Sequence, residues 1–167
     1  MPDHKITDLP AKKQINIEQN NLQVKHSCLH GKGLFAINFI PNGAKIIEYE
    51  GERITWEEAD NRPPHHPEDP CHTFYFQLES GAVIDGGVGG NESRWINHAC
   101  TPNTEAYEED GEHVIIYAIK DIHAGEEITY NYRLTLEEEY TPELEASYCC
   151  CCASKNCRGT MLGLKEK

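Results

Sequence analysis

The stretch YCCCCASKNCRGTML, residues 148–162, sets four cysteines in a row and a fifth five positions later. Adjacent cysteines bridge to each other only with strain, and a chain kept in a reducing compartment holds its thiols free, so a disulfide framework accounts poorly for the row. A metal accounts for it better. Zinc takes four soft ligands at tetrahedral corners, and a structural site closes all four with protein groups. Cys150, Cys152 and Cys157 form C-x-C-x4-C, in which alternate side chains of an extended segment face one ion and a short loop returns the third. Three thiolates leave a corner open. The fourth ligand is either a neighbour, Cys149 or Cys151, or a distant residue, for which Cys28, Cys71 and Cys100 remain.

With 167 residues and 38% hydrophobic content, the chain has material for one domain plus small appendages. Its amino terminus, MPDHKITDLPAKKQINIEQNN, has no apolar segment behind its charges, and no run of about 18 apolar residues occurs, so neither a signal peptide nor a membrane span is expected. The chain reads as soluble and intracellular. Its 28 acidic residues against 15 basic ones, a net charge of −13, argue against direct nucleic-acid binding, which needs a cationic surface to displace counterions. A basic partner suits this balance, although solubility alone accounts for it as well.

Strand signals dominate. Residues 44–54, 73–80, 81–86, 104–110, 112–122 and 126–132 are short, rich in β-branched and aromatic residues, and bounded by turn formers. LESGAV and EEDGEHV look like hairpin connections, the second with Asp110 and Gly111 for the positive φ angles of a tight turn. One helix is predicted, opened by a capping box from Thr55 to Glu58 and stopped within two turns by Pro63 and Pro64. NRPPHHPEDP (61–70) reads as a proline-stiffened surface loop, and 136–147 as an acidic connector to the cysteine tail.

Cys100 ends GNESRWINHAC (90–100), which runs on into TPNTEAY. This stretch resembles the central motif of the SET-domain protein lysine methyltransferases, R-F-I-N-H-S-C-x-P-N: Arg94, Ile96, Asn97, His98, Cys100, Pro102 and Asn103 match, with Trp95 as the aromatic and Ala99 for serine. HGKGLFA (30–36) is similar to the family's cofactor loop, and GAKIIEYEGERI (43–54) to the segment with a substrate-side tyrosine. AGEEITYNY (124–132) is similar to the motif that ends in the catalytic tyrosine, and the cysteine tail to the post-SET zinc element. The resemblance spans roughly residues 20–162. Ala153 stands where the family has a common glycine, and Asn131 replaces its usual aspartate.

The resemblance implies a mainly β SET fold of several small antiparallel sheets with a pseudoknot, few short helices and a C-terminal zinc-binding segment. It divides the chain into a lead (1–19), a catalytic domain (20–135, with an insert at about 55–72), the acidic connector (136–147) and the zinc tail (148–167). It makes Cys100 the fourth ligand beside Cys150, Cys152 and Cys157 of one structural zinc ion, with Cys149 and Cys151 outside the set. S-adenosylmethionine is the implied cofactor. Lys32, Gly33 and Leu34 would offer it a tight turn with exposed backbone groups, while Asn97 and His98 would supply hydrogen bonds. Phe74, Trp95 and Tyr132 would contact it, and Met161 and Leu162 would close over its adenine. Arg94 either engages the same ligand or braces the fold.

Methyl transfer to lysine needs the neutral amine, whose pKa in water is about 10.4. A narrow channel walled by aromatics disfavours the ammonium by desolvation, and a neighbouring sulfonium adds repulsion. Tyr49, Tyr75, Phe76, Tyr130 and Tyr132 are candidates for its walls, with sheet packing an equal account of Tyr75, Phe76 and Tyr117. The resemblance gives Tyr132 the catalytic hydroxyl, with Tyr49 and Tyr130 beside it, and tyrosine at 130 implies mainly mono- or dimethylation. The expected substrate is a lysine in a basic protein, such as a histone tail or a histone-like protein. The place would be nucleus or chromatin in a eukaryote, and the cytoplasm or a host cell for a bacterial or viral chain. The competing reading is an inactive SET-like zinc module that binds basic tails. Nothing in the sequence selects one lysine or an oligomeric state.

Overall fold

The computed structural model describes residues 15–17, 19–69 and 71–165. Most of the expected lead, residues 1–14 and 18, lies outside them, as do 70, 166 and 167. Asn16 forms a parallel bridge with Lys45, so the described end of the lead runs along a sheet edge.

Ten short strands make three small sheets. In chain order they are β1 (Leu22–His26), β2 (Lys32–Ala36), β3 (Lys45–Glu48), β4 (Glu52–Ile54), β5 (Tyr75–Gln77), β6 (Val83–Asp85), β7 (Asn97–His98), β8 (Thr104–Glu109), β9 (His113–Ala118) and β10 (Glu127–Tyr130). The sheet orders are β1-β2-β10-β7, β3-β9-β8 and β4-β6-β5. All strand pairs are antiparallel except β7 with β10. Among the described residues, two α-helices of six residues each, α1 (Trp56–Asn61) and α2 (Pro142–Ser147), and two 3-10 helices, Gln19–Asn21 and Glu92–Trp95, complete the fold.

Five of the expected strands fall where the patterns place them, whereas the stretch 44–54 divides into β3 and β4, which join different sheets, and β1 and β7 were not foreseen. β9, HVIIYA, is buried at every position after its first, as its unbroken apolar run demands, and it is the central strand of its sheet. β8 joins β9 through Asp110 and Gly111, with φ of 54° and 71°, the mirror-image turn that the Asp-Gly pair favours. Thr55 caps α1 in both directions: its hydroxyl accepts from Glu58 N at 3.2 Å and its own N–H donates to Glu58 Oε2 at 2.7 Å. The helix stops at Arg62, extended ahead of Pro63 because the proline ring disfavours a helical predecessor.

Two readings change. Lys32, Gly33 and Leu34 are not a tight turn but the start of β2, paired on one side with β1 and on the other with β10. The turn is earlier, at 27–31, where Gly31 has φ of 45° and Ser27 N donates to Gly31 O. Alternation decides it, since Leu34 and Ala36 point into the core. The acidic connector also holds a second helix, where the sequence pointed to one helix only, at 55–62. Thr141 caps α2 by accepting from Leu144 N at 3.2 Å, and Pro142 occupies the first turn, where its missing N–H costs nothing.

The principal core lies between the first two sheets and contains Leu34, Ile40, Ile96, Ile116, Ile122 and Ile128, each essentially inaccessible. Burying a side chain of this size stabilises a fold by roughly 1.5–3 kcal/mol, so these six hold β2, β7, β9 and β10 in fixed register. That register positions the site.

Candidate active site

The parallel pairing of β7 with β10 sets Asn97 opposite Thr129 and His98 opposite Tyr130. The Asn-His pair therefore lies alongside the run that ends in Tyr132. Asn103 fastens the arrangement: its amide donates to Glu127 O at 2.8 Å and its oxygen accepts from Thr129 N at 2.9 Å.

Asn97 is buried and its side-chain NH2 group is fully used. It donates to the carbonyls of His30 and Lys32 at 3.1 and 2.9 Å, and to the Glu127 carboxylate at 2.8 Å. Glu127 also accepts the Ser27 hydroxyl at 2.8 Å, and a Cβ at Gly33 would overlap its carboxylate, which explains the glycine. Asn97 thus braces the turn ahead of β2 through its side chain. His98 accepts the Tyr132 N–H on Nδ1 at 3.1 Å, and its Nε2 lies 3.5 Å from Cys100 Sγ. Burial, with Arg158 nearby, lowers its pKa to about 4, which keeps the ring neutral.

The Tyr132 hydroxyl donates to Ile96 O at 2.6 Å, and its ring lies 4.8 Å from that of Tyr130 and 5.4 Å from that of His98. Phe76 continues the series at 6.2 Å from Tyr130, and Tyr49 follows at 5.5 Å from Phe76, with its hydroxyl on Phe74 O at 2.7 Å. Burial raises the pKa of Tyr49, Tyr130 and Tyr132 well above the phenol range. These groups stay protonated at neutral pH, so they can donate and orient but do not serve as bases. A cleft of about 390 Å³ opens beside them, lined by Phe76, Tyr130 and Tyr132 together with Glu105 and Asn131. Tyr75 and Tyr117 are engaged elsewhere, on Ala59 O and Glu109 Oε1.

A second group surrounds Trp95. Phe74 meets its ring edge-on at 5.2 Å, the Lys32 ammonium lies over it at 4.8 Å and the Arg94 guanidinium at 5.3 Å. Arg94 Nη1 reaches the Gly86 carbonyl at 3.5 Å, while its Nε is buried with no hydrogen-bond partner. Two cations, one carrying an unsatisfied buried donor, beside two aromatic rings suit a ligand with a carboxylate and a flat ring system. The donor set therefore fits S-adenosylmethionine. Leu34 faces away from this group into the core.

The sulfurs of Cys100, Cys150, Cys152 and Cys157 all lie within 4.8 Å of one another, with Cys100 and Cys150 at 3.7 Å. Thiolates held about 2.3 Å from a tetrahedral zinc stand about 3.8 Å apart, so the cluster can hold such an ion. Cys149 and Cys151 are exposed and outside it. Burial pushes the Cys100 and Cys150 thiols up. Burial opposes ionisation of Cys152 too, yet hydrogen bonds with Ser154, Cys100 and Cys150 lower it to about 6. Beyond the cluster the tail closes on itself, Met161 N donating to Tyr148 O at 2.8 Å, and then returns to the domain, where Leu162 is buried and bridges to Leu134 and Gly163 N donates to Leu134 O at 2.6 Å. Leu134 is two residues past Tyr132, so the tail crosses the exit of the tyrosine segment.

Three contributors went unnoticed in the sequence. Asp85, with no exposure, holds the insert by accepting from Arg62 Nη1 at 2.6 Å and pairing with His65 Nε2 at 2.9 Å. Glu127 is the hub described above; its only signal was its place in GEEITY. The insert histidines 65, 66 and 72 gather around Phe74 at 5.2–5.5 Å, and HH at 65–66 inside a proline loop was their only sequence signal.

A mainly β scaffold that lays an Asn-His pair beside a buried Tyr130 and a partly buried Tyr132, with a thiol cluster returning the tail to both, defines a SET-type domain. Residues 31–133 match the SET domain family, and the chain belongs to it. It is 36% identical over 138 residues to the histone-lysine N-methyltransferase trithorax of Drosophila virilis, covering 81% of this chain and 3% of that protein. It is 33% identical over 159 residues to the histone-lysine N-methyltransferases SETD1B and SETD1A of Homo sapiens, covering 93% of this chain and 8% and 9% of theirs. The chain thus spans under a tenth of the length of these curated relatives. No helix among the described residues is long and apolar enough to cross a membrane.

Proposed function

We propose that this chain is a protein-lysine N-methyltransferase that uses S-adenosylmethionine, acts on a lysine in a basic segment such as a histone tail, and adds mainly one or two methyl groups. One observation carries the reading: a partly buried Tyr132 whose hydroxyl is fixed on Ile96 O, beside the Asn-His pair and at the mouth of an aromatic cleft. Membership of a family whose members include histone-lysine N-methyltransferases supports it.

S-adenosylmethionine supplies an electrophilic methyl group on a sulfonium. The chain supplies the rest. Phe76, Tyr130 and Tyr132 strip water from an entering ammonium, which favours the neutral, nucleophilic amine. Tyr132 has spent its proton on Ile96 O, so its oxygen keeps lone pairs to accept an amine N–H and orient the nitrogen for in-line attack. Lys32 and Arg94 hold a carboxylate, and Trp95 with Phe74 flank the ligand. The Tyr130 hydroxyl takes space that further methyl groups would need. The tail, closed by one structural zinc on Cys100, Cys150, Cys152 and Cys157, shields the site. The net charge of −13 steers basic segments to it, and a chromatin setting agrees with such a substrate.

Incubation with labelled S-adenosylmethionine and a panel of basic proteins should label lysine on at least one histone-like member. No transfer, together with no thermal stabilisation by the cofactor or its demethylated product, defeats the reading. Mass spectrometry should show mono- and dimethyllysine, and Tyr130→Phe should move the distribution upward; dominant trimethyllysine in the parent would refute the product assignment.

A further inference from the structure

The thiol cluster is one of two places among the described residues where metal-ligating side chains converge. The other joins His30, Asp69 and His72, whose ligand atoms, one from each, lie within 4.8 Å of one another. His30 belongs to the turn ahead of β2, whereas Asp69 and His72 end the insert. The Nδ1 atoms of His30 and His72 face each other at 2.9 Å, and His30 Nε2 stands 3.0 Å from Asp69 Oδ2. The two ring centroids lie 4.4 Å apart with their planes tilted by 35°, and His66 packs edge-on against His72 at 4.7 Å.

Two imidazole nitrogens 2.9 Å apart need something between them: a shared proton or a shared cation. A neutral ring has one N–H and one lone pair. His30, donating Nε2–H to Asp69, turns its Nδ1 lone pair on His72, and an acceptor carboxylate on the far nitrogen is the usual device for fixing a metal-binding tautomer and raising its basicity. Nitrogen ligands about 2.0–2.1 Å from one ion stand about 3.3 Å apart at tetrahedral corners and about 2.9 Å apart at adjacent octahedral ones, so the separation found here suits a six-coordinate ion with several waters. Paired imidazoles are borderline donors that suit zinc, nickel or copper rather than magnesium or calcium.

We propose that His30 and His72, through their facing Nδ1 atoms, form a second site for a divalent transition metal of the zinc type, chemically distinct from the thiol cluster, with Asp69 orienting His30 from its Nε2 and water completing the coordination. The ion clips the insert to the turn at 27–31. That turn is the one Asn97 braces through His30 O, and His72 also packs on Phe74 at 5.3 Å, so the clip fastens two walls of the Trp95 group to each other.

The test uses the full chain with zinc already on its thiols. Titrated with cobalt(II), it should bind one further equivalent, with weak visible bands and no thiolate-to-cobalt charge-transfer absorption. His72→Ala and His30→Ala should lose that equivalent and keep the thiol-bound zinc, while His123→Ala should keep both. No additional equivalent in the parent, or one that survives the double variant His30→Ala/His72→Ala, overturns the site. If a histidine variant also sheds its thiol-bound zinc, Asp69→Asn, at a side chain 44% exposed, decides: cobalt affinity should fall about tenfold or more, and unchanged affinity refutes the site.

Discussion

The Tyr132 hydroxyl donates a hydrogen bond to Ile96 O, and this one bond both holds the ring and fixes the direction of the oxygen lone pairs. Tyr132→Phe should lower methyl transfer by about 10²-fold or more, the usual scale for losing a positioned polar group, while S-adenosylmethionine binding persists. It should also leave the Ile96 carbonyl without its donor, costing about 1 kcal/mol and a few degrees of Tm. Steady-state rates and a melting curve measure the two effects separately. Ala153 makes a different prediction. Its φ is 54°, in the left-handed region where a Cβ is strained by roughly 1–2 kcal/mol, and it stands where the family has glycine. Ala153→Gly should raise the Tm of the zinc-loaded protein by about 2 °C, part of the relief being offset by the freer unfolded chain; an unchanged or lower Tm counts against strain at this position. At this scale the motif residues were legible but several of their partners were not. Asn97 stood out in RWINHAC, yet its amide is absorbed by His30, Lys32 and Glu127, which lie 67, 65 and 30 positions away and share no local pattern with it.

Local pattern carried the elements that local chemistry decides. Capping by Thr55 and Glu58, arrest ahead of Pro63 and the Asp-Gly hairpin all depend on neighbours within four residues, and each was visible. Gly111 has φ of 71°, so Gly111→Ala should destabilise the β8–β9 hairpin by about 1 kcal/mol, read as a lower denaturation midpoint with an unchanged slope. A midpoint equal to the parent's would show that the turn relaxes to another geometry. β2 was harder to see. KGLFA takes its character from burial between β1 and β10, and a glycine at its second position reads as a turn until Glu127 is known to lie against it. α2 did carry a signal, Thr-Pro-Glu in cap, first-turn and dipole-favoured order, which the surrounding glutamates obscured.

Topology belongs to the whole chain and was legible only through resemblance. β10 lies between β2 and β7, strands that precede it by some ninety and thirty residues, and no spacing rule specifies that a two-residue parallel pairing will seat the Asn-His pair beside the tyrosines. The thiol cluster acts at the same range. Cys100 is three residues from Asn97 and touches His98, whereas Cys150, Cys152 and Cys157 belong to a tail with little apolar burial of its own apart from Leu162. A metal that binds only the folded arrangement contributes its binding free energy to that arrangement. Zinc removal by a strong chelator should therefore lower the Tm, expose residues 148–165 to protease and abolish transfer, and added zinc should restore all three. Cys152→Ser should reproduce the loss without chelator. Cys149→Ser/Cys151→Ser should keep one zinc on the thiols and full activity, since both side chains are exposed and outside the cluster. Persistent transfer by chelated protein would show that packing around Leu162 and Gly163 closes the site unaided; loss of the thiol-bound metal in the double variant would move the fourth ligand from Cys100 to the row itself.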